Sequence, residues 1–218
     1  MAYVKIDPPG TFCTYAAIRD VLKSRGGSRF LDIGCGGGDI SKLLCDAGME
    51  GVGVDFSARA VARAEQTLRP QIEAGKYTLH HGDVHDLGEG FASVDVAISF
   101  MVMEHVHDDI GFLNSIIRFV NPGGNIIIGV PGRRDHWSFE DETVGHLRRY
   151  DRDDLERVLK EAGLQDVEVW SVAVPVANLL FKVGDWLVKR SGEGRKLGQD
   201  QREQTEVSGI REIPWKTV

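Results

Sequence analysis

Leu31-Asp-Ile-Gly-Cys-Gly-Gly-Gly-Asp39 is the stretch that decides the fold. A strand-like run, Arg29 to Ile33, enters a cluster of glycines, and a helix-like run, Ile40 to Ala47, leaves it. Glycine lets the backbone bend tightly and lets a ligand lie against it. The N–H groups at the start of the following helix then face that ligand. Such a turn makes a nucleotide-type pocket at the carboxyl end of a parallel strand. The dinucleotide fingerprint G-x-G-x-x-G is not met, because Asp39 stands at the third glycine position. The glycines fall instead at Gly34, Gly36 and Gly38, with Asp32 just upstream. A carboxylate in the pocket mouth suits a cationic amine and repels a pyrophosphate. The loop therefore favours a zwitterionic, amino-acid-bearing nucleotide over NAD.

Outward from this loop the chain alternates strand and helix. Gly51 to Val54 reads as a second strand, and Asp55 follows it. Asp55 lies about 20 residues past the glycine turn, the spacing at which a carboxylate meets ribose hydroxyls. Phe56 beside it is placed to pack on an adenine. Ser57 reads as the N-cap of a helix that buries Val61, Ala64 and Leu68 and stops at Pro70. Tyr77 to His81 and Ser93 to Ser99 read as strands three and four. Alternation sends His80 and His81 to opposite faces, so they do not form a ligand pair. Asp108 or Asp109 caps a helix carrying Ile110, Leu113, Ile117 and Val120, and Asn121-Pro-Gly-Gly124 breaks it before strand five, Asn125 to Val130. Asp151 caps the next helix, with Gly163 as its stop, and Val167 to Ala173 reads as strand six.

The order of these motifs resembles that of the class I S-adenosylmethionine (SAM)-dependent methyltransferases. The residues that carry the resemblance are Asp32-x-Gly34-x-Gly36-x-Gly38, Asp55, Asp83 at a strand end, and the Pro122-Gly-Gly124 turn before an apolar strand. It extends from about Phe30 to about Gly163. The resemblance implies a doubly wound α/β, Rossmann-like fold. Its sheet is mostly parallel, of seven strands or a truncated six, with helices on both faces. It implies SAM as cofactor. Asp32, Gly34, Gly36, Gly38, Asp55, Phe56, Asp83, Val84 and Phe100 are then the cofactor-binding candidates. Asp83 would accept from the adenine amine and Val84 would offer a backbone N–H to the ring. Phe100 would stand near the sulfonium.

Phe100-Met-Val-Met-Glu-His-Val-His-Asp-Asp109 follows strand four, where the family lines the transferred methyl and the acceptor. Glu104-His105 resembles a pair in quinone-biosynthesis O-methyltransferases and small-RNA methyltransferases. There another Glu, three residues earlier, helps bind a divalent metal. Met101 stands at that position here. One carboxylate and one imidazole make a poor Mg²⁺ site, so no metal is expected. An oxygen acceptor calls for a base, and His105 and His146 are the imidazoles to test. Gly132 to Tyr150 is a long polar loop with Trp137 and Tyr150 as substrate-binding candidates. The alternative is a loop packed down by those two rings, with its arginines paired to Glu140, Asp141 and Glu142.

The 218 residues are 42% hydrophobic, enough for one domain: a cap helix over 11–27, a SAM-binding core over 28–174, and a C-terminal helix and tail over 175–218. The net charge of −7 argues against a nucleic-acid partner. Cys13, Cys35 and Cys45 lack metal-type spacing and read as reduced thiols. No apolar run reaches membrane-span length and no signal peptide is visible, so a cytoplasmic location is expected. The apolar stripe over Val176 to Leu187 suits a helix packed on the sheet. It also suits an apolar acceptor, a membrane face or a homodimer contact. The functional expectation is methyl transfer from SAM to a small-molecule or lipid-like acceptor, most readily at oxygen. The rivals are N- or C-methylation, a noncatalytic binding subunit of the same fold, and an NAD-dependent oxidoreductase.

Overall fold

A computed structural model describes residues 9–88, 91–174 and 186. Five strands form one sheet: β1 (Arg29–Ile33), β2 (Glu50–Asp55), β3 (Tyr77–His81), β4 (Val94–Phe100) and β5 (Val120–Gly129). Seven helices accompany them: α1 (Pro9–Arg25), α2 (Asp39–Asp46), α3 (Ala58–Thr67), α4 (Arg69–Glu73), α5 (Asp109–Ile117), α6 (Phe139–Val144) and α7 (Arg152–Glu161). The strand order is β3-β2-β1-β4-β5, and all four pairings are parallel. The chain winds outward from β1 to β3, then crosses back to place β4 on the other side of β1. That reversal opens a crevice at the carboxyl ends of β1 and β4, where ligands bind in open α/β sheets.

Period-two alternation sorts the strand residues onto two cores. Leu31, Ile33, Val52, Val54 and Ala97 join the face covered by α5 and α7, with Phe112, Leu113, Ile116, Val158 and Leu159. Phe30, Val96, Ile98 and Tyr77 join the face covered by α1 and α2, with Ile18, Leu43 and Leu44. Gly51 and Gly53 point to that second face. A Cβ on Gly51 would strike the Phe30 ring, and one on Gly53 would strike the Tyr77 hydroxyl. These two glycines in a strand therefore leave room for aromatic packing.

The predicted elements through α7 are present, with local differences. Ser57 caps α3 by accepting from Ala60 N–H at 3.3 Å, and Asp108 caps α5 by accepting from Gly111 N–H at 2.9 Å. Pro70 does more than stop α3, since it lies in the first turn of the short α4, where its missing N–H costs nothing. The Asn121-Pro-Gly-Gly124 segment belongs to β5, with a register irregularity opposite Val94 and Val96. Asp151 sits at the cap position of α7, but its side chain accepts from Arg134 N–H at 3.1 Å. The sixth strand expected over Val167–Ala173 is not formed: these described residues have no ladder partner. The described sheet thus has five strands, neither six nor seven. The C-terminal helix and tail expected over 175–218 lie outside the described residues, Trp186 apart.

Asp95 ties the amino ends of the strands together. It accepts from Ser28 N–H, Arg29 N–H and Asn121 Nδ2 at 2.8 to 3.1 Å, joining β1, β4 and β5. These donors hold its carboxyl down at about 2. Among the described residues, no helix is long and apolar enough to cross a membrane. Gly51→Ala is expected to overpack the Phe30 face and cost about 1–3 kcal/mol, seen as a lower urea midpoint at unchanged slope.

Candidate active site

The carboxyl ends of β1, β2 and β3 build one half of the crevice. Gly34 N–H donates to Val54 carbonyl at 2.8 Å, so the loop leaves β1 still tied to β2. Gly34 has φ of 69°, and a Cβ there would run into Val102. Gly38 is the left-handed N-cap of α2 at φ of 81°, and its side of the loop packs on Leu68 and Ala64. Gly38 has no side chain with which to cap α2, and Asp32 beneath the loop takes the backbone N–H of Ser41 in the first turn of that helix. The loop is held from β2 by Asp55. Its Oδ2 accepts from Gly36 N–H at 2.8 Å and its Oδ1 from Ser57 N–H at 2.8 Å.

Phe56 follows Asp55, half-buried, and its carbonyl meets His81 Nε2 at 3.1 Å. Gly82 N–H donates to the Asp55 carbonyl at 3.0 Å, which sets Asp83 beside Asp55. Asp83 is exposed and accepts from His85 N–H at 3.0 Å, while its own N–H donates to Asp86. Val84 begins the 3-10 turn Val84–Asp86 with its side chain in the core. The glycine loop, Asp55, Phe56, Asp83 and Val84 therefore share one edge of the sheet.

Asp32 occupies a different place from the one expected. It is not in the pocket mouth but buried beneath the loop, 2% exposed, accepting from Ser41 Oγ at 2.7 Å. Ser41 Oγ also meets Tyr77 Oη at 2.8 Å. Period two turns residue 32 to the same face as Phe30, under α2, which is the reason for the burial. Burial pushes the Asp32 carboxyl up to about 7, with Ser41 opposing and Asp55 adding to the rise.

The other half of the crevice follows β4. Phe100 ends that strand, lying where a Cβ on Gly129 would meet its ring. Met101 has φ of 57° and turns the chain into the 3-10 turn Met103–His105. Across from it comes the segment after α6. Leu147 N–H donates to Glu104 carbonyl at 2.8 Å, and His105 Nδ1 lies 3.2 Å from Gly145 carbonyl. The rings of His105 and His146 meet edge to face with centroids 4.8 Å apart. Glu104 is fully buried, and neither carboxyl oxygen has a hydrogen-bond partner among the described residues. Its Oε1 lies 3.7 Å from His146 Nε2. Burial pushes Glu104 up to about 8 and His105 down to about 4, the latter helped by the nearby His146. His105 is accordingly uncharged at neutral pH.

Asp141 organises this half. Its Oδ1 takes His146 Nδ1 at 2.7 Å and Arg149 Nε at 2.8 Å, and its Oδ2 takes Ser138 N–H and Oγ. The remaining loop arginines are also paired: Arg133 with Asp135, Arg134 with Asp154, Arg148 with Asp109. Trp137 is 42% exposed, with Nε1 3.4 Å from Glu142. Tyr150, expected in the acceptor pocket, is 4% exposed and packs in the core, its hydroxyl donating to Met103 carbonyl at 3.4 Å. It braces the turn that carries Glu104 and His105. A groove of about 1330 Å³ runs along β5 to Phe100 and Met101 without including the glycine loop.

Glu104, His105 and His146 each bring one ligand-type atom to within 4.8 Å of the others, a set that could hold a cation. The third member was missed from the sequence, where only the adjacent Glu104-His105 pair was weighed. From the sequence Asp141 is named only as a partner for the loop arginines, a role it does fill with Arg149. Its available signal was the Ser138-x-x-Asp141 capping box, five residues before His146.

A family profile described as "Methyltransferase domain" matches residues 11–169. The chain belongs to the class I SAM-dependent methyltransferase family. A probable S-adenosylmethionine-dependent methyltransferase of Mycolicibacterium smegmatis is 28% identical over 141 residues, 64% of this chain and 52% of the relative. A ubiquinone biosynthesis O-methyltransferase of Aromatoleum aromaticum is 32% identical over 109 residues, 49% of this chain and 45% of the relative. This methyltransferase chain thus spans about half the length of the curated relatives it matches. Magnesium protoporphyrin IX methyltransferase from Synechocystis, solved with bound S-adenosylhomocysteine, shares the fold at TM-score 0.61. It is 19% identical, with 76% of this chain and 78% of that chain covered.

The raised Asp32 carboxyl has a consequence for stability. The folded state holds the proton between the ordinary value of 3.8 and about 7, so this contribution is present below 3.8 and is lost as pH rises through about 7. Urea unfolding of Asp32→Asn is expected to show a flatter fall in stability across that window than the unchanged chain.

Proposed function

We propose that this chain binds SAM in the glycine-loop half of the crevice and transfers its methyl group to a small-molecule acceptor held against Glu104, His105 and His146. The observation that carries the reading is the Asp55–Gly36 bond. It fixes a glycine loop, a helix start and a ribose-type carboxylate in one pocket at the strand-order reversal. The loop amides and Gly34 would lie along the methionine portion, Asp55 would take the ribose, Phe56 and Val84 the adenine, and Asp83 its amine. Phe100 at the end of β4 would stand by the sulfonium.

Methyl transfer from a sulfonium is an in-line displacement, so the site needs acceptor, methyl and sulfur close to collinear. Positive charge on sulfur is lost as the bond breaks, and a dry pocket favours that loss. The buried Glu104–His146 cluster supplies such an environment on the acceptor side. We take oxygen as the methylated atom. His146 is fixed by a carboxylate that would stabilise the ring on receiving a hydroxyl proton, whereas the burial that keeps His105 uncharged makes it the weaker base of the two. The similarity to a ubiquinone biosynthesis O-methyltransferase supports the same choice.

Titration calorimetry with S-adenosylhomocysteine tests the donor half. Saturable binding is expected, and no heat at any concentration ends the proposal. Asp55→Ala removes a charged acceptor from both loop and sugar, and should weaken that binding by about tenfold or more. With the donor half established, a label-transfer assay from methyl-labelled SAM to phenols and amines decides the acceptor atom. Product formed only with amines would replace the oxygen assignment.

A further inference from the structure

We infer that Asp141 is the positioning residue of His146: it keeps the ring proton on Nδ1 and turns the Nε2 lone pair toward Glu104, inside the acceptor half of the site. Asp141 is fully buried on α6 and its carboxylate collects four hydrogen bonds. Ser138 N–H and Ser138 Oγ reach Oδ2 at 2.8 and 2.9 Å. Arg149 Nε and His146 Nδ1 reach Oδ1 at 2.8 and 2.7 Å. Both Ser138 groups and the Arg149 guanidinium donate to this carboxyl, the arrangement of an ionised carboxylate paired with a cation.

An ionised carboxylate can only accept. Nδ1 of His146 must then be the donor, and in the neutral ring Nε2 carries the lone pair. Nε2 faces Glu104 Oε1 across 3.7 Å, too long for a hydrogen bond and short enough for one atom to reach both. His105 repeats the pattern. Its Nδ1 faces the Gly145 carbonyl, which can only accept, so its lone pair also lies on Nε2. The backbone reinforces the His146 placement, because His146 N–H donates to the Asp141 carbonyl at 2.9 Å. Ring and main chain are thus tied to one residue, and the imidazole cannot turn over without breaking a charge-assisted bond.

The use of that lone pair to receive a hydroxyl proton rests on the methyltransferase reading. The tautomer does not. The test is nitrogen NMR of the full chain carrying labelled histidine, at mildly alkaline pH where an ordinary imidazole is neutral. The His146 signals are assigned by their loss in His146→Gln. A bare Nε2 and a protonated Nδ1 are expected. Asp141→Asn should shift His146 toward the other tautomer and lower kcat by about tenfold or more, with the KM for SAM unchanged. Arg149→Gln removes the ion pair from the same carboxylate but leaves the bond to His146. It should keep the original His146 signals.

A proton found on Nε2 of the unsubstituted chain overturns the proposal. So does a His146 spectrum that Asp141→Asn leaves unaltered, or that Arg149→Gln alters as much. Should Asp141→Asn fail to fold, judged by lost S-adenosylhomocysteine binding, the unsubstituted spectrum alone decides. Loss of that binding by the unsubstituted chain would instead remove the methyltransferase reading and leave the tautomer assignment standing.

Discussion

Asp55 ends β2 and accepts from Gly36 N–H on the loop that follows β1. That bond links the two strand ends on the outward-winding side of the reversal in strand order. The loop has three left-handed glycines, Gly34, Gly36 and Gly38, and little side-chain packing of its own on the ligand side. A backbone with that much freedom holds one shape only if something outside it does the holding. Asp55 does so from one side. Val102 closes against Gly34 from another, and Leu68 and Ala64 close against Gly38 from a third. The same carboxylate is the proposed ribose partner, so under that proposal one side chain would both brace the loop and read the sugar.

The two halves of the crevice are built by different physics. The loop half relies on backbone amides and small residues, with a buried Asp32–Ser41–Tyr77 chain beneath it and the buried Asp55 and Ser57 beside it. The acceptor half relies on side chains: two carboxyls and two imidazoles in close contact, bolted by Arg149 to Asp141 and by Arg148 to Asp109. Buried charges of this kind are costly unless paired. Asp141 is paired four ways and stays ionised, whereas the Glu104 carboxyl has no hydrogen-bond partner among the described residues and holds its proton through neutral pH. Two carboxyls within one small cluster thus carry opposite charge states because their donors differ. Tyr150 stands behind both, fastening the turn that carries Glu104 to the core.

Much of the fold could be read from residue order. Stretches with a clear period and a clear stop, such as Arg29–Ile33 before the glycines and Ser57 before α3, appear where expected. Val167–Ala173 alternates like a strand but forms none among the described residues, since a strand needs a neighbour as well as a pattern. Gly34, Gly36, Asp55 and Phe56 lie together at one sheet edge, because the loop and the β2 end are neighbours by topology. Asp32 and Tyr150 do not face the crevice. Their types suited the site, but strand alternation turned one under α2, and the bridge from Gly132 to Tyr150 carried the other inward.

What the sequence by itself determined is the nucleotide-type loop, its acidic partner about 20 residues on, and the alternation of strands and helices around them. These are local signals: glycine at positive φ, period two against period 3.6, and caps at helix starts. Only the tertiary structure decided which half-cluster meets which. Glu104 and His105 follow β4, while Asp141 lies on α6 and His146 just after it, and no spacing along the chain encodes the 3.7 Å between Glu104 and His146. That distance is set by Leu147 bonding back to Glu104 and by Tyr150 bonding to Pro131 and Met103, contacts made across the sheet edge. Side-chain ionisation followed from the same packing, because burial and donors, not residue type, determine where a carboxyl holds its proton.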